Sequence, residues 1–250
     1  MKLDIRANLK VNGVVNTNGS QACSFKNNKH QHGKTLNNHV HAKITVDGYD
    51  FTSSACLRKA LFATSQAYFA SDKKEEQDGF AASSEGLLRG YMFTNKSCDA
   101  VKRKSSVTVL NAVSEEKCII TSVCSKSGER SDTSFFSKDD AQARIQKFRA
   151  VIDTDMLKQI KHNEIHGLSF NCTKEEFKAL LDEFHSIDNE PACDIVDDGI
   201  VLRDYVVDKL VKYFIQRLKD ICILKAGASL ESDETSIEII NFKTKEVVEL

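Results

Sequence analysis

The sequence lacks most of the signatures that identify a function directly. Its 250 residues include one proline, no tryptophan and no run of about 18 apolar residues, so we expect no transmembrane helix. The motifs GxGxxG, GxxxxGK[ST], GxSxG and HExxH are absent, and no two of the eight cysteines form a CxxC pair. These absences argue against a dinucleotide-binding fold, a P-loop, a hydrolase nucleophile elbow and a zinc protease.

The amino-terminal residues alternate between polar and apolar and contain no continuous apolar stretch. We therefore expect no secretory signal peptide. Eight cysteines without such a signal indicate free thiols in a reducing compartment, so we expect a cytoplasmic protein. The composition, 41% hydrophobic and 28% charged, is that of a globular chain with one or two domains.

The formal net charge of −1 conceals an uneven distribution. Residues 1–70 contain nine Lys/Arg against three Asp/Glu, a balance of +6. Residues 71–150 have fourteen against twelve, and residues 151–250 have twelve against twenty-one, a balance of −9. A basic amino-terminal part suits nucleic acid, and oppositely charged ends favour head-to-tail association of copies. The alternative is that charge simply fluctuates along the surface.

Hydrophobic periodicity predicts an α+β chain built on an antiparallel sheet with helices on one side. The element order fits a βαββαβ unit with large insertions. We read 71–79 as a solvated loop and 107–123 as a hairpin, followed by a polar loop over 124–137. The predicted strands cover 3–15, 42–46, 87–94, 107–113, 117–123, 165–171 and 235–248. The predicted helices cover 54–69, 139–152 and 204–224. A further helix is expected after a capping box formed by Thr173 and Glu176.

Residues 16–62 carry most of the functional information. The first part is rich in Asn, Lys, His and Gly, which cannot build a core but suit a polyanion. Further on, Ser53 and Ser54 open a helix whose first N–H groups could hold one phosphate. Arg58 or Lys59, one turn into the helix, could hold the next phosphate. The alternative is an ordinarily capped helix with a solvated basic face.

Two further basic points lie outside that segment. The first is residues 102–104, Lys-Arg-Lys, before the predicted hairpin. The second is Arg89, in an apolar stretch where an arginine needs either an acidic partner or a phosphate.

Four histidines form the one histidine cluster: His30, His32, His39 and His41. Their spacing allows a structural zinc site or proton transfer during RNA cleavage, but no cysteine or carboxylate stands beside them at ligand spacing. Solvated or phosphate-contacting side chains are the default interpretation.

A first strand, an Asn/Gly-rich loop, a second strand and a helix opening with SSACLRKALF occur here in that order. This arrangement resembles the backbone subunits of type I CRISPR Cascade complexes, which belong to the RAMP superfamily. The matching residues are 53–60, and GLLRG at 86–90 adds weaker support. Ala55 stands where the family often has Gln, and the usual glycine-rich loop near the carboxyl terminus is missing. The resemblance covers residues 1–70 well and the rest by element order.

The resemblance implies one domain over residues 1–250, a ferredoxin-like (RRM-like) palm with finger and thumb-like insertions at about 13–41 and 95–137. Several copies of such subunits polymerise head to tail along one guide RNA. Each grips the sugar-phosphate backbone and leaves the bases to pair with target DNA. The thumb would be the hairpin 107–123 or the loop 124–137, and the short chain points to a type I-F variant.

We therefore expect a non-catalytic RNA-binding subunit with no cofactor and no metal. One rival function is that of a RAMP endoribonuclease, which would cleave RNA with the histidines as acid or base. Cleavage of target RNA by a loop aspartate, as in type III backbone subunits, is disfavoured because no Asp occurs between residues 14 and 40. The other rival is a protein-interaction module with a basic face. The residues expected to contact RNA are Asn16, Asn18, Gly19, Ser20, Gln21, Lys26, Lys29, His30, Lys34, Ser53, Ser54, Arg58, Lys59, Arg89, Lys102, Arg103 and Lys104.

Overall fold

The computed structural model of the chain describes residues 1–13, 21–22, 38–40, 47–62, 73–94, 100–117, 120–126, 135–164, 167–225 and 228–249. The strands in these ranges are β1 (Lys2–Asn12), β2 (Gln21–Ala22), β3 (Asn38–Val40), β4 (Tyr49–Thr52), β5 (Tyr91–Thr94), β6 (Ala100–Arg103), β7 (Val107–Val109), β8 (Ala112–Lys117), β9 (Ile120–Lys126), β10 (Phe135–Ala141), β11 (Arg144–Asp153), β12 (Gln159–Lys161), β13 (Asn163–Glu164), β14 (Gly167–Leu168), β15 (Cys193–Val196), β16 (Gly199–Leu202), β17 (Cys222–Lys225) and β18 (Ala228–Asn241). The helices are α1 (Ser54–Leu61), α2 (Lys74–Ala82), α3 (Ser84–Arg89), α4 (Thr154–Lys158), α5 (Lys174–His185) and α6 (Asp204–Lys219).

One antiparallel sheet, which we call the main sheet, organises the fold. Its strand order is β17-β18-β1-β11-β8-β4, and β7 also pairs with β11. The pairing of β1 with β11 runs from Lys2 opposite Asp153 to Val11 opposite Arg144. The predicted mixed α+β class is confirmed. The predicted alternation of the first strand is also confirmed, because one face of β1 is wholly buried: Leu3, Ile5, Ala7, Leu9 and Val11.

Helix α6 packs against β18 and against α1, α3 and α4. It buries an apolar stripe: Val206, Val207, Leu210, Val211, Phe214 and Leu218. The predicted extension of this helix to residue 224 is wrong, since Cys222–Lys225 leaves the helix and pairs with β18 as an edge strand. No helix in the described part of the chain is both long and apolar enough to cross a membrane.

The predicted capping box before α5 is confirmed. The backbone N–H of Thr173 donates to Glu176 Oε2 (2.9 Å), and the backbone N–H of Glu176 donates to Thr173 Oγ1 (3.2 Å). Phe177 and Leu181 are buried, whereas Phe184 is 45% exposed.

Several further predictions of local structure are wrong in whole or in part. The predicted helix over 139–152 is the end of β10 followed by β11, a central strand of ten residues. Its buried side chains follow a period of two, because Gln146, Phe148, Ala150 and Ile152 all face the core.

The predicted loop over 71–79 is also wrong, because α2 begins at Lys74. Asp78 is buried and accepts from the backbone N–H groups of Asn171 (2.7 Å) and Cys172 (3.1 Å). Asp78 thus occupies a position on the buried face of α2. Because an apolar residue is expected at such a position, the sequence of this helix does not show an amphipathic pattern.

The predicted strand over 87–94 is half right. Residues up to Arg89 belong to α3, and only Tyr91–Thr94 is a strand. Gly90 separates them with φ of +72°, and a Cβ there would lie 2.5 Å from the carbonyl oxygen of Arg103. Only glycine fits this turn without strain.

The predicted hairpin over 107–123 is wrong. Strands β7 and β8 both pair with β11, whereas β9 pairs with β10. The hairpin that forms is therefore β9–β10, with Lys126 opposite Phe135 nearest its tip. Of the other predicted strands, 42–46 lies outside the described residues, 165–171 is reduced to Gly167–Leu168, and the last begins early, at Ala228, and ends at Asn241.

Candidate nucleic-acid interface

The start of α1 is the point at which the sequence placed a phosphate. Ser53 is the N-cap, and its Oγ accepts from the backbone N–H of Cys56 (3.4 Å). The backbone N–H of Ser54 donates to Oδ1 of Asn111 (2.8 Å) in the loop between β7 and β8. Two of the first N–H groups thus have acceptors within the protein. This geometry is that of an ordinarily capped helix, and phosphate binding at Ser53 and Ser54 stays a prediction.

Arg58 joins three elements. Its Nη1 donates to the carbonyl of Val107 (2.9 Å) and its Nη2 to the carbonyl of Arg89 (3.0 Å), while Ser105 Oγ lies within 3.4 Å of both nitrogens. Burial and the neighbouring charge of Arg89 lower the pKa of the guanidinium. Arg58 therefore positions α1 against α3 and β7, and its contacts are with neutral acceptors of the protein itself.

Two more arginines surround the carboxyl end of α1. Arg217 Nε donates to the carbonyl of Leu61 (2.9 Å), and Arg89 Nη1 donates to that of Phe62 (3.4 Å). Cations at a helix carboxyl end complement the helix dipole. Arg89 also lies 3.7 Å from Glu85, so the acidic partner expected as one possibility for this arginine is present in its own helix.

Residues 102–104 divide between the interior and the surface. Arg103 is only 6% exposed, and its Nη2 donates to the carbonyls of Met156 and Leu157, both at 3.0 Å. We leave it out of the candidate interface because its side chain faces the interior. Lys102 is half-exposed opposite the exposed Met92 of β5, and Lys104 is exposed. Lys59 is exposed as well. We assign these three lysines to the candidate interface, because the guanidinium groups of the half-exposed Arg58 and Arg89 donate to carbonyl oxygens of the protein.

The remaining predicted contacts fall in residues 14–46, which we call the polar segment. Asn16, Asn18, Gly19, Ser20, Lys26, Lys29, His30 and Lys34 lie outside the described residues, and of Gln21 only the backbone is described. The side chains of His32, His39 and His41 are likewise not described. In the described part of the chain, no group of His, Cys, Asp or Glu could hold a metal ion.

The backbone pairing of the polar segment joins two regions that the sequence presented as separate insertions. Gln21 pairs with His39 in antiparallel fashion, and His39 pairs in parallel with Ser137 of β10. The result is a four-stranded sheet in the order β2-β3-β10-β9, which we call the small sheet. The two described strands of the polar segment therefore belong to the same sheet as the β9–β10 hairpin.

Arg144, at the start of β11, contacts residues on both sides of the polar segment. Its Nε donates to Asp50 Oδ2 (2.7 Å) in β4, and its Nη1 donates to the carbonyl of Gly13 (2.9 Å). Gln146 also donates to Asp50, and the backbone N–H of Gly13 donates to the carbonyl of Ala141 (3.1 Å). Sequence reasoning missed this clamp because its partners lie 94 and 131 residues from Arg144. The one available signal was an aspartate in the apolar strand that follows the polar segment.

Comparison with known proteins adds little to this geometry. No family model matches the sequence, and no curated protein matches it. Among solved structures, the chain is similar to a chain from a "CRISPR RNA-guided surveillance complex, pre-nicking", with 9% sequence identity and a TM-score of 0.46. The similarity covers 97% of this chain and 77% of that chain. At this TM-score it carries no argument about function, which we argue from this chain's own residues.

Proposed function

We propose that the chain is a non-catalytic RNA-binding subunit of a CRISPR RNA-guided complex, of the RAMP-superfamily backbone type. In this proposal it holds guide RNA through the sugar-phosphate backbone, and the bases remain available for pairing with target DNA. The sequence resemblance at residues 53–60 and the basic amino-terminal part support the proposal.

The observation that carries the proposal is the anchoring of the polar segment. Its Lys-, His- and Asn-rich composition cannot contribute to a core, yet a buried ion pair, Arg144 with Asp50, fixes its base. β10 then pairs with it along the small sheet. The residues on both sides of the segment are thus fixed, and the cations in its sequence suit a polyanion.

We assign a role to each basic residue from the contacts of its side chain. Lys59, Lys102 and Lys104 contact phosphates together with the polar segment. Arg58 and Arg89 are positioning residues, because their described contacts are within the protein. Lysine acts here as a point charge, which suits binding that does not depend on base sequence.

Two finer features belong to the same proposal. The main sheet serves as a ferredoxin-like palm, and the β9–β10 hairpin serves as the thumb. Copies associate head to tail along the RNA, the basic amino-terminal part of one facing the acidic carboxyl-terminal part of the next.

The first test is purification of the full chain from its expression host, with absorbance measured at 260 and 280 nm before and after RNase or DNase treatment. Because the protein contains five tyrosines and no tryptophan, bound RNA would dominate the spectrum. The proposal predicts a 260 nm excess that RNase removes and DNase leaves, with RNA recovered uncut. Protein free of nucleic acid that also fails to bind added single-stranded RNA would overturn it, and metal-independent cleavage of added RNA would favour the endoribonuclease.

A further inference from the structure

The solvent face of the main sheet carries a pair of arginines that the interface above does not include. Arg6 of β1 and Arg149 of β11 are register partners, directly opposite one another. Their neighbours along the strands, Ile5 and Phe148 among them, face the core. The two arginine side chains therefore share the opposite face, where they are 48% and 42% exposed.

A single buried carboxylate holds both arginines. Asp4, two residues before Arg6 and on the same face, is 1% exposed. Its Oδ2 accepts from Nη2 (2.9 Å) and Nε (3.2 Å) of Arg6, and its Oδ1 accepts from Nε of Arg149 (2.7 Å). The carboxylate thus lies beneath two guanidinium groups whose outer edges face solvent.

The charge of this group is unbalanced. Burial raises the pKa of Asp4, but hydrogen bonds from Arg149 and Arg6 outweigh burial, so the net shift is downward and the carboxyl group is ionised at neutral pH. Among these three residues, one negative charge and two positive charges leave a surplus of one positive charge; the carboxylate of Glu238, the register partner of Arg6 on β18, lies on the same face but forms no ion pair with Arg6 in the described part of the chain. Like charges directly opposite on neighbouring strands repel, and an external anion would relieve that repulsion.

The donors that remain point outward. Arg149 uses only Nε toward Asp4, and Arg6 keeps Nη1. These outer nitrogens have no hydrogen-bond partner among the described residues. Paired guanidinium groups offer the planar fork that matches phosphate oxygens.

We propose that Asp4, Arg6 and Arg149 form a phosphate-binding triad on the open face of the main sheet, which takes a backbone phosphate of single-stranded RNA. The choice of RNA as the ligand rests on the proposed function. It is supported by the course of β1, which continues from Arg6 to its end at Asn12, shortly before the polar segment begins. An RNA strand held at that segment can continue along this face of the sheet.

The matched test uses R6K/R149K in the full chain, with R203Q as the control. The lysine variant keeps both charges and a partner for Asp4 but loses the guanidinium forks. Arg203 is equally exposed, at 48%, and pairs with one carboxylate, Asp194, at 2.6 Å in the acidic part of the chain. Circular dichroism and thermal unfolding confirm that each variant is folded before binding is measured.

Two ligands separate the failure of the triad from the failure of the proposed function. Affinity for a short single-stranded RNA is measured by fluorescence anisotropy, and inorganic tripolyphosphate is titrated while the arginine Nε–Hε signals are followed by NMR. The triad predicts that R6K/R149K weakens RNA binding about tenfold or more, that R203Q leaves it unchanged, and that tripolyphosphate shifts two Nε signals that are missing in R6K/R149K.

If wild type binds RNA and R6K/R149K binds it equally well, the triad proposal is overturned and the proposed function stands. If wild type binds no RNA but tripolyphosphate shifts the two signals, the phosphate site stands and the proposed function fails. If neither ligand binds, both are overturned.

Discussion

Arg144 and Asp50 lie 94 residues apart in sequence and form an ion pair in which Arg144 Nε lies 2.7 Å from Asp50 Oδ2. Both side chains are largely buried. Because Arg144 also binds the carbonyl of Gly13, one side chain contacts residues on both sides of the polar segment.

The Arg144 clamp predicts a large loss of stability when it is broken. In R144M the buried carboxylate of Asp50 loses its charged partner, which costs about 3 kcal/mol or more of the free energy of unfolding. The control R203M breaks the exposed pair with Asp194 and costs below about 1 kcal/mol. Denaturant unfolding of both variants measures the difference, and equal losses would contradict a clamp at Arg144.

Two neighbouring residues of α1, Arg58 and Lys59, should differ in effect: we expect the first to contribute to the stability of the protein and the second to RNA binding. R58M removes donors to the carbonyls of Val107 and Arg89 and should destabilise the protein by about 2 kcal/mol. K59M changes an exposed side chain and should alter stability by less than about 0.5 kcal/mol while weakening RNA binding. Thermal unfolding and anisotropy on the same samples provide the comparison. A stable R58M that loses RNA affinity would show that Arg58, contrary to our assignment, contacts the ligand.

The buried Asp4 predicts a specific dependence of stability on pH. Its pKa in the folded protein is lowered, so its contribution is fully present above the ordinary carboxyl pKa and is lost as pH falls through the folded value. D4N should be less stable than wild type at pH 7, and the difference should shrink as pH falls below about 4. Denaturant unfolding between pH 7 and pH 2.5 measures this gap. A gap that stays constant over the range would rule out an ionised Asp4 as its source.

The parts of the fold that the sequence predicted are those in which local pattern and tertiary contact agree. In β1 the alternation of apolar and polar residues, which is visible in the sequence, matches the alternation of buried and exposed side chains. Thr173 and Glu176 form their capping box within a single helical turn. Ser53 is the cap of α1 for the same reason, since its partner Cys56 is three residues away.

The failures occurred where distant contacts decide the structure. Buried Asp78 depends on Asn171, 93 residues away, so residues 74–79 looked like a solvated loop. In β11 the buried Gln146 interrupts the apolar alternation, and an acidic start at residues 139–140 imitated a helix amino terminus.

The candidate site rests on composition, and the contacts of its residues could not be predicted from the sequence. The sequence indicated correctly that basic residues concentrate in the amino-terminal part. It did not reveal that Arg58 and Arg103 direct their guanidinium groups to carbonyl oxygens of the protein. The pairing of Arg6 with Arg149 was invisible for a related reason, because residues 143 apart become neighbours only when β1 joins β11.

The central claim is that exposed lysines, Lys59 and Lys104 among them, hold RNA through its phosphates, whatever the base sequence. Its most direct test is the salt dependence of RNA affinity for wild type, K59Q/K104Q and the control K212Q/K243Q, which removes two exposed lysines from the acidic part.

Affinity is measured by anisotropy for two RNAs of equal length and unrelated sequence. We predict equal wild-type affinities for the two RNAs and a linear fall of log K with log salt concentration. K59Q/K104Q should bind both RNAs more weakly, with a slope shallower by about one for each phosphate that a lysine no longer neutralises, and K212Q/K243Q should match wild type. Identical slopes for all three proteins, or strong preference for one RNA, would contradict the account.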